Sequence, residues 1–79
     1  MNIYNLICED ASHLGGPMGT EYTTHLFTKP FSTLEKAKAY ARKYQKNWPD
    51  YAEWKAGERG RWYVDSGAYI WSIEKKKIE

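Results

Sequence analysis

The sequence predicts an α+β fold: a small antiparallel sheet with one amphipathic helix packed on one face, in two layers and in the order ββαββ. Three observations predict it. A capped, periodic helix occupies the middle of the chain, strand-forming segments rich in Thr and aromatic residues flank it, and a glycine turn folds the last quarter into a hairpin. The 79 residues are expected to form a single domain, 1-79, because the chain is too short for a second core or for a doubly wound nucleotide-binding fold.

The first strand is "NIYNLICE". Tyr4, Leu6 and Cys8 alternate with Ile3, Asn5 and Ile7, and because both sides carry apolar residues the strand is expected to be well covered. A polar, glycine-rich stretch, "DASHLGGPMG", then connects it to "TEYTTHLFTK", whose Thr and aromatic content suits a pleated, half-buried surface. The helix opens at "FSTLE", where the Ser32 hydroxyl and the Glu35 carboxylate form a capping box, each able to satisfy an otherwise unpaired backbone N–H. Pro30 stands just outside it. Leu34, Ala37, Ala41, Tyr44 and Trp48 recur at three- and four-residue spacing as one apolar stripe, with Tyr40 at its edge, and Pro49 ends the helix near Asn47. "WPDYAEWKAGERG" is expected to be irregular or a short helical turn, anchored by Trp48, Tyr51 and Trp54 at three-residue steps. "RWYV" and "AYIWSIEKKKI" pair across "DSG", with Gly67 supplying a positive φ and Lys75 to Lys77 marking a solvated strand end.

Four Trp, seven Tyr and two Phe make the chain 16% aromatic. Each such side chain buries on the order of 150–250 Å², so rings supply most of the core of so short a chain. The single cysteine, Cys8, excludes an intrachain disulfide and a cysteine zinc cluster, and favours a reducing compartment. The start of the chain has neither a basic leader nor a long apolar run, so no signal peptide and no membrane partner are expected, and the localisation expected is cytoplasmic. The net charge of +2 names no partner, but its distribution is uneven: Glu9, Asp10 and Glu21 stand against Lys29 early in the chain, whereas residues 32-47 hold five bases against Glu35.

The stretches "LFTKPFSTLEKAKAYARKY" and "YIWSIEKKKI", with the first strand and its acidic, glycine-containing loop, resemble a broad class of small proteins of phages and other mobile elements. In that class a motif F-S-[ST]-x-E-K-A starts the only helix, matched here by Phe31, Ser32, Glu35, Lys36 and Ala37, and a strand with alternating Tyr and Glu ends the chain. The resemblance implies an accessory protein made to contact another molecule. Proteins of this kind include inhibitors of host defence, anti-CRISPR proteins among them; those that mimic nucleic acid are strongly acidic, and this chain departs from that pattern.

Catalytic and cofactor chemistry find little support. "GGPMGT" lacks the following helix and lysine that a phosphate loop requires, and Pro17 has no N–H to offer. His13, His25, Cys8 and scattered acids do not amount to a zinc ligand set, so no metal and no cofactor are expected. Cys8 and His25 on neighbouring strands would make a nucleophile and base only if Cys8 left the core that its alternation with Tyr4 and Leu6 assigns to it. With no convergent nucleophile, base and stabiliser, the protein is expected not to be an enzyme.

Two binding surfaces remain. The aromatic surplus exceeds what one helix can cover, which makes Trp54, Trp62, Tyr63 and Ile70 candidate anchors of an exposed patch, with Glu9, Asp10 and Glu21 as rim contacts. A host protein or a second copy of the chain, forming a homodimer, would cover it, unless residues 48-60 fold over the open face. The leading expectation is thus a non-enzymatic module that blocks a host protein sterically. The alternative is a nucleic-acid binder that uses Lys38, Arg42, Lys43 and Lys46 on the outward helix face.

Overall fold

A computed structural model describes residues 1–10 and 24–78. They build five antiparallel strands and one helix, an α+β arrangement: β1 (Asn2–Asp10), β2 (Thr24–Phe31), α1 (Leu34–Tyr44), β3 (Lys55–Ala56), β4 (Arg61–Asp65) and β5 (Tyr69–Lys77). In the sheet the order is β2-β1-β5-β4-β3. The loop "HLGGPMGT" and Glu21 lie outside the described residues.

The expected order ββαββ becomes ββαβββ. The added strand, β3, is only two residues long and pairs Lys55 with Tyr63 and Ala56 with Trp62. Its cause is the turn at Glu58–Gly60. Arg59 (φ 58, ψ 36) and Gly60 (φ 67) both adopt left-handed backbone, and the Arg61 N–H donates to the Glu58 carbonyl. Two successive left-handed residues are the turn geometry whose twist matches that of paired strands. An arginine at the first of these positions hides the hairpin from a reading based on Asn-Gly or Gly-Gly.

Register divides the side chains between two faces. Leu6 stands opposite Ile73, Cys8 opposite Trp71, and Trp71 opposite Val64. These five are buried, and with Ala37 and Ala41 of α1 and with Ala52 they make the core. The helix lies against β1, β2 and β5. It presents alanines to the sheet, which lets its backbone come close enough for Phe27, Phe31 and Tyr40 to close the sides.

Both helix ends fall differently from the sequence expectation. The N-cap is Thr33, whose hydroxyl accepts from the Lys36 N–H at 3.2 Å, while the Ser32 hydroxyl is occupied by the Lys36 ammonium. At the other end the helix stops at Tyr44, before Pro49 can act. Gln45 leaves the helical conformation and its side chain turns inward, where it is 8% exposed. There the Trp71 indole N–H donates to the Ser66 hydroxyl at 3.1 Å, that hydroxyl donates to the Gln45 side-chain carbonyl, and the Gln45 amide donates to the Ser66 carbonyl at 2.9 Å. This polar cluster joins the helix terminus to the β4–β5 turn. Gly67 in that turn has φ 88, as expected, and its N–H is held by the Asp65 carboxylate.

Candidate functional site

The opposite face of the sheet is built by the residues that alternate with the core. Ile3, Asn5, Ile7 and Glu9 of β1 run beside Lys76, Glu74, Ser72 and Ile70 of β5, and Arg61, Tyr63 and Asp65 of β4 follow. Among the described residues no helix lies on this face. Ile3, Ile7 and Ile70 are half-buried by their neighbours in the sheet, and Tyr63 is 49% exposed. A shallow hollow of about 170 Å³ between Ile7, Glu9, Arg61, Ser72 and Glu74 marks its middle. The Arg61 guanidinium stands 3.6 Å from the Glu74 carboxylate, with both side chains largely in solvent. Such an exposed pair contributes about 0–1 kcal/mol to stability.

The four expected anchors therefore do not share one surface. Tyr63 and Ile70 lie on the open face. Trp62 lies on the helix face, half-buried against the core, with its ring centroid 6.2 Å from that of Tyr4. Trp54 also packs against the core, stacked on Trp48 at 6.1 Å. The reason is parity: Trp62 and Tyr63 are successive strand residues and must point to opposite sides. Ala52 and Trp54 reach the core on the helix side, while Tyr51, Glu53 and Lys55 border a cleft with Tyr63 and Asp65 at the β4 margin of the open face. Of the expected rim, Glu9 belongs to the open face, Asp10 to the helix side at the strand end, and Glu21 lies outside the described residues. The sequence reading missed Ile3 and Ile7, which were assigned to a covered side; their alternation with Leu6 and Cys8 was the signal.

On the helix, Lys38 is half-buried, and Arg42, Lys43 and Lys46 are exposed. Arg42 is engaged locally, its guanidinium carbon 5.8 Å from the centre of the Trp48 ring, while the Trp48 N–H donates to the Ala52 carbonyl. Trp48 is thereby a tether for the segment after the helix.

The chemistry of Cys8 and His25 is separated by the sheet. Cys8 is buried on the helix side opposite Phe27, and burial pushes its thiol up to about 11, with the Asp10 and Glu9 carboxylates adding to the shift. It stays protonated at neutral pH. His25 pairs with Glu9 instead, because the register shifts after Cys8, and its Nε2 meets the Thr28 hydroxyl at 2.8 Å. Among the described residues no three His, Cys, Asp or Glu side chains come together as a metal site. No helix among them is long and apolar enough to cross a membrane. No family model matches the chain, and no curated protein and no solved structure matches it.

Proposed function

We propose that the protein is a non-enzymatic protein-binding module, an accessory protein of the mobile-element type it resembles, which blocks a host protein sterically in the cytoplasm. The carrying observation is the sheet face opposite the helix. It offers Ile7 and Ile70 at diagonal positions of β1 and β5, an exposed tyrosine at Tyr63 in the same row as Ile7, and charged groups among them at Glu9, Arg61, Glu74 and Asp65, with Ile3 at the far end of β1. Protein interfaces combine apolar contacts with polar and charged groups, and tyrosine is favoured among the residues that anchor one. In this reading the fold is two-layered, with the helix and the aromatic surplus stiffening one layer so that the other stays flat and rigid. Trp54 and Trp62 act as supports and Tyr63 and Ile70 as contacts.

The test is an affinity capture from host lysate after nuclease treatment, comparing the wild-type chain with Ile70→Lys and Tyr63→Ala, each shown by circular dichroism to be folded. A discrete protein held by the wild type and lost with Ile70→Lys supports the proposal. Capture that survives both substitutions, or that disappears with nuclease, refutes it. Sedimentation of the purified chain covers the remaining case, because a dimer disrupted by Ile70→Lys assigns the face to a second copy.

A further inference from the structure

The bases in the last third of the chain look balanced when counted along the sequence, yet folding gathers them. Arg61 stands at the start of β4 opposite Glu74, the next three residues of β5 are Lys75, Lys76 and Lys77, and the β3–β4 turn carries Arg59 beside them. A Cβ placed on Gly60 would lie 3.7 Å from that of Lys75, so the turn rests against this strand end. The acids Glu9, Asp10 and Asp65 sit at the opposite end of the same strands. Among the described residues the acids beside the bases here are Glu58 and Glu74, in a protein whose total charge is just +2.

A second observation is independent of charge. Arg59 is the one residue other than glycine with positive φ among those described. Left-handed backbone is unfavourable for a long side chain, and such a cost, where it persists, is commonly tied to the use made of that side chain. Here the strained residue is also the base at the tip of the hairpin. It borders a cleft of about 490 Å³ whose other walls are Gly57, Glu58, Arg61 and Tyr63. The Tyr63 ring lies close over Gly57, where a Cβ would come within 3.2 Å of it, so glycine at 57 lets the ring lie flat along the cleft.

We propose that this end of the sheet is a binding site for single-stranded nucleic acid, with phosphates held by Arg59, Arg61 and Lys76 and a base stacked on Tyr63; Arg61, Lys76 and Tyr63 share the open face, whereas Lys75 and Lys77 alternate to the other. The arrangement combines the two parts such a site needs, a run of cations and an exposed aromatic face. Duplex is disfavoured because its bases are already stacked and leave nothing for the ring. The site is distinct from the helix face on which Lys38, Arg42, Lys43 and Lys46 lie. It does not depend on the proposed protein interface, although Tyr63 borders both.

The test uses a fluorescein-labelled oligothymidine of twelve nucleotides and the full chain, followed by fluorescence anisotropy between 50 and 200 mM salt. Binding should weaken linearly in log–log form, and each phosphate contact removed should flatten the slope by about 0.7. Arg59→Gly, which suits the turn and keeps it folded, and Lys76→Ala should each do so, while Lys43→Ala should not. Tyr63→Leu should weaken binding without altering the slope. Absence of binding at 50 mM salt refutes the proposal. So does equal binding of poly-glutamate or duplex, or a slope that responds to Lys43→Ala and not to Arg59→Gly. Ile70→Lys should leave oligonucleotide binding unreduced, which separates failure of this site from failure of the protein interface.

Discussion

Replacing Ser66 by alanine tests the polar cluster that ends the helix. Ser66 is 2% exposed, and its hydroxyl accepts from the Trp71 N–H and donates to Gln45. Its removal costs Trp71 its nearer acceptor, leaving the Gln45 carbonyl at 3.4 Å as a poorer one, and costs Gln45 its donor. Leaving one buried polar group inadequately paired costs about 1–3 kcal/mol. A domain of this size has a total stability of roughly 5 kcal/mol or somewhat more, so a large share of it is at stake. With a urea dependence of about 1 kcal/mol per molar, the unfolding midpoint followed by tryptophan fluorescence should fall by about 1 M or more. Ser72→Ala, on the open face, is the control and should move it little. The double variant Ser66→Ala with Gln45→Leu should lose less than the sum of the single losses, because the second change removes groups that the first left without partners. A Ser66→Ala midpoint within about 0.3 M of wild type would refute the claim that this cluster fixes the helix end.

Arg59→Asn should raise stability by about 1 kcal/mol, because asparagine tolerates left-handed backbone at the first position of this turn; thermal unfolding reads it as a rise of roughly 4–8 °C. Trp62→Ala should destabilise by about 2–4 kcal/mol and Tyr63→Ala by about 1 kcal/mol or less, since only the first ring packs on the core; chemical denaturation distinguishes them. For Cys8 the folded thiol titrates near 11 and the unfolded one near the ordinary value of 9.0. Between those values the unfolded chain releases a proton that the folded chain keeps, so stability falls as pH rises, by at most about 1.4 kcal/mol per pH unit. Cys8→Ala should flatten that decline relative to wild type in denaturation series from pH 8 to 11. Pro30→Val should leave the fold intact but remove one barrier to pairing at the β2 edge, and sedimentation should show more self-association than the wild type shows.

The parts of the fold written in local pattern were legible. Alternation located β1 and β5, the 3.6-residue stripe located the helix, and "DSG" located the last turn. Three features were not, for different reasons. Gln45 breaks the helix early since its side chain has buried partners 21 and 26 residues away. β3 exists only through its pairing with β4. The division of Trp62 from Tyr63 follows from strand parity, and the sequence reading grouped them as neighbours when adjacency in a strand means opposite faces. The same limit hid the basic end of the sheet. Asp50, Glu53, Glu58, Asp65, Glu74 and Glu79 offset Lys55, Arg59, Arg61 and Lys75 to Lys77 in a count along the chain, and only the register shows Asp65 at the other end of the strands from Arg61 and the lysines.

The edges of the sheet bear on which surface is available for contact. β2 forms one edge, and it combines three devices that discourage pairing with another strand: Pro30 has no N–H, Lys29 is charged, and the register shift after Cys8 leaves Leu26 as an extra residue that bends the strand. The other edge, β3, is two residues long, too short to template an added strand. Association through backbone pairing is thus disfavoured on both sides. Contacts must then use side chains, and the helix covers the more apolar face. What is left is the open face, where Ile7 and Ile70 stand in or next to the row of Tyr63, and the strand ends, of which one carries Glu9 and Asp65 and the other Arg61 and Lys76. A partner that approached face-on would meet Ile7, Ile70 and Tyr63 among charged groups and, at one end, the Arg59 turn. On the proposed nucleic-acid reading, the Arg59 hairpin would set the direction from which a phosphate-bearing ligand enters, and Ile7 and Ile70 what could lie beside it.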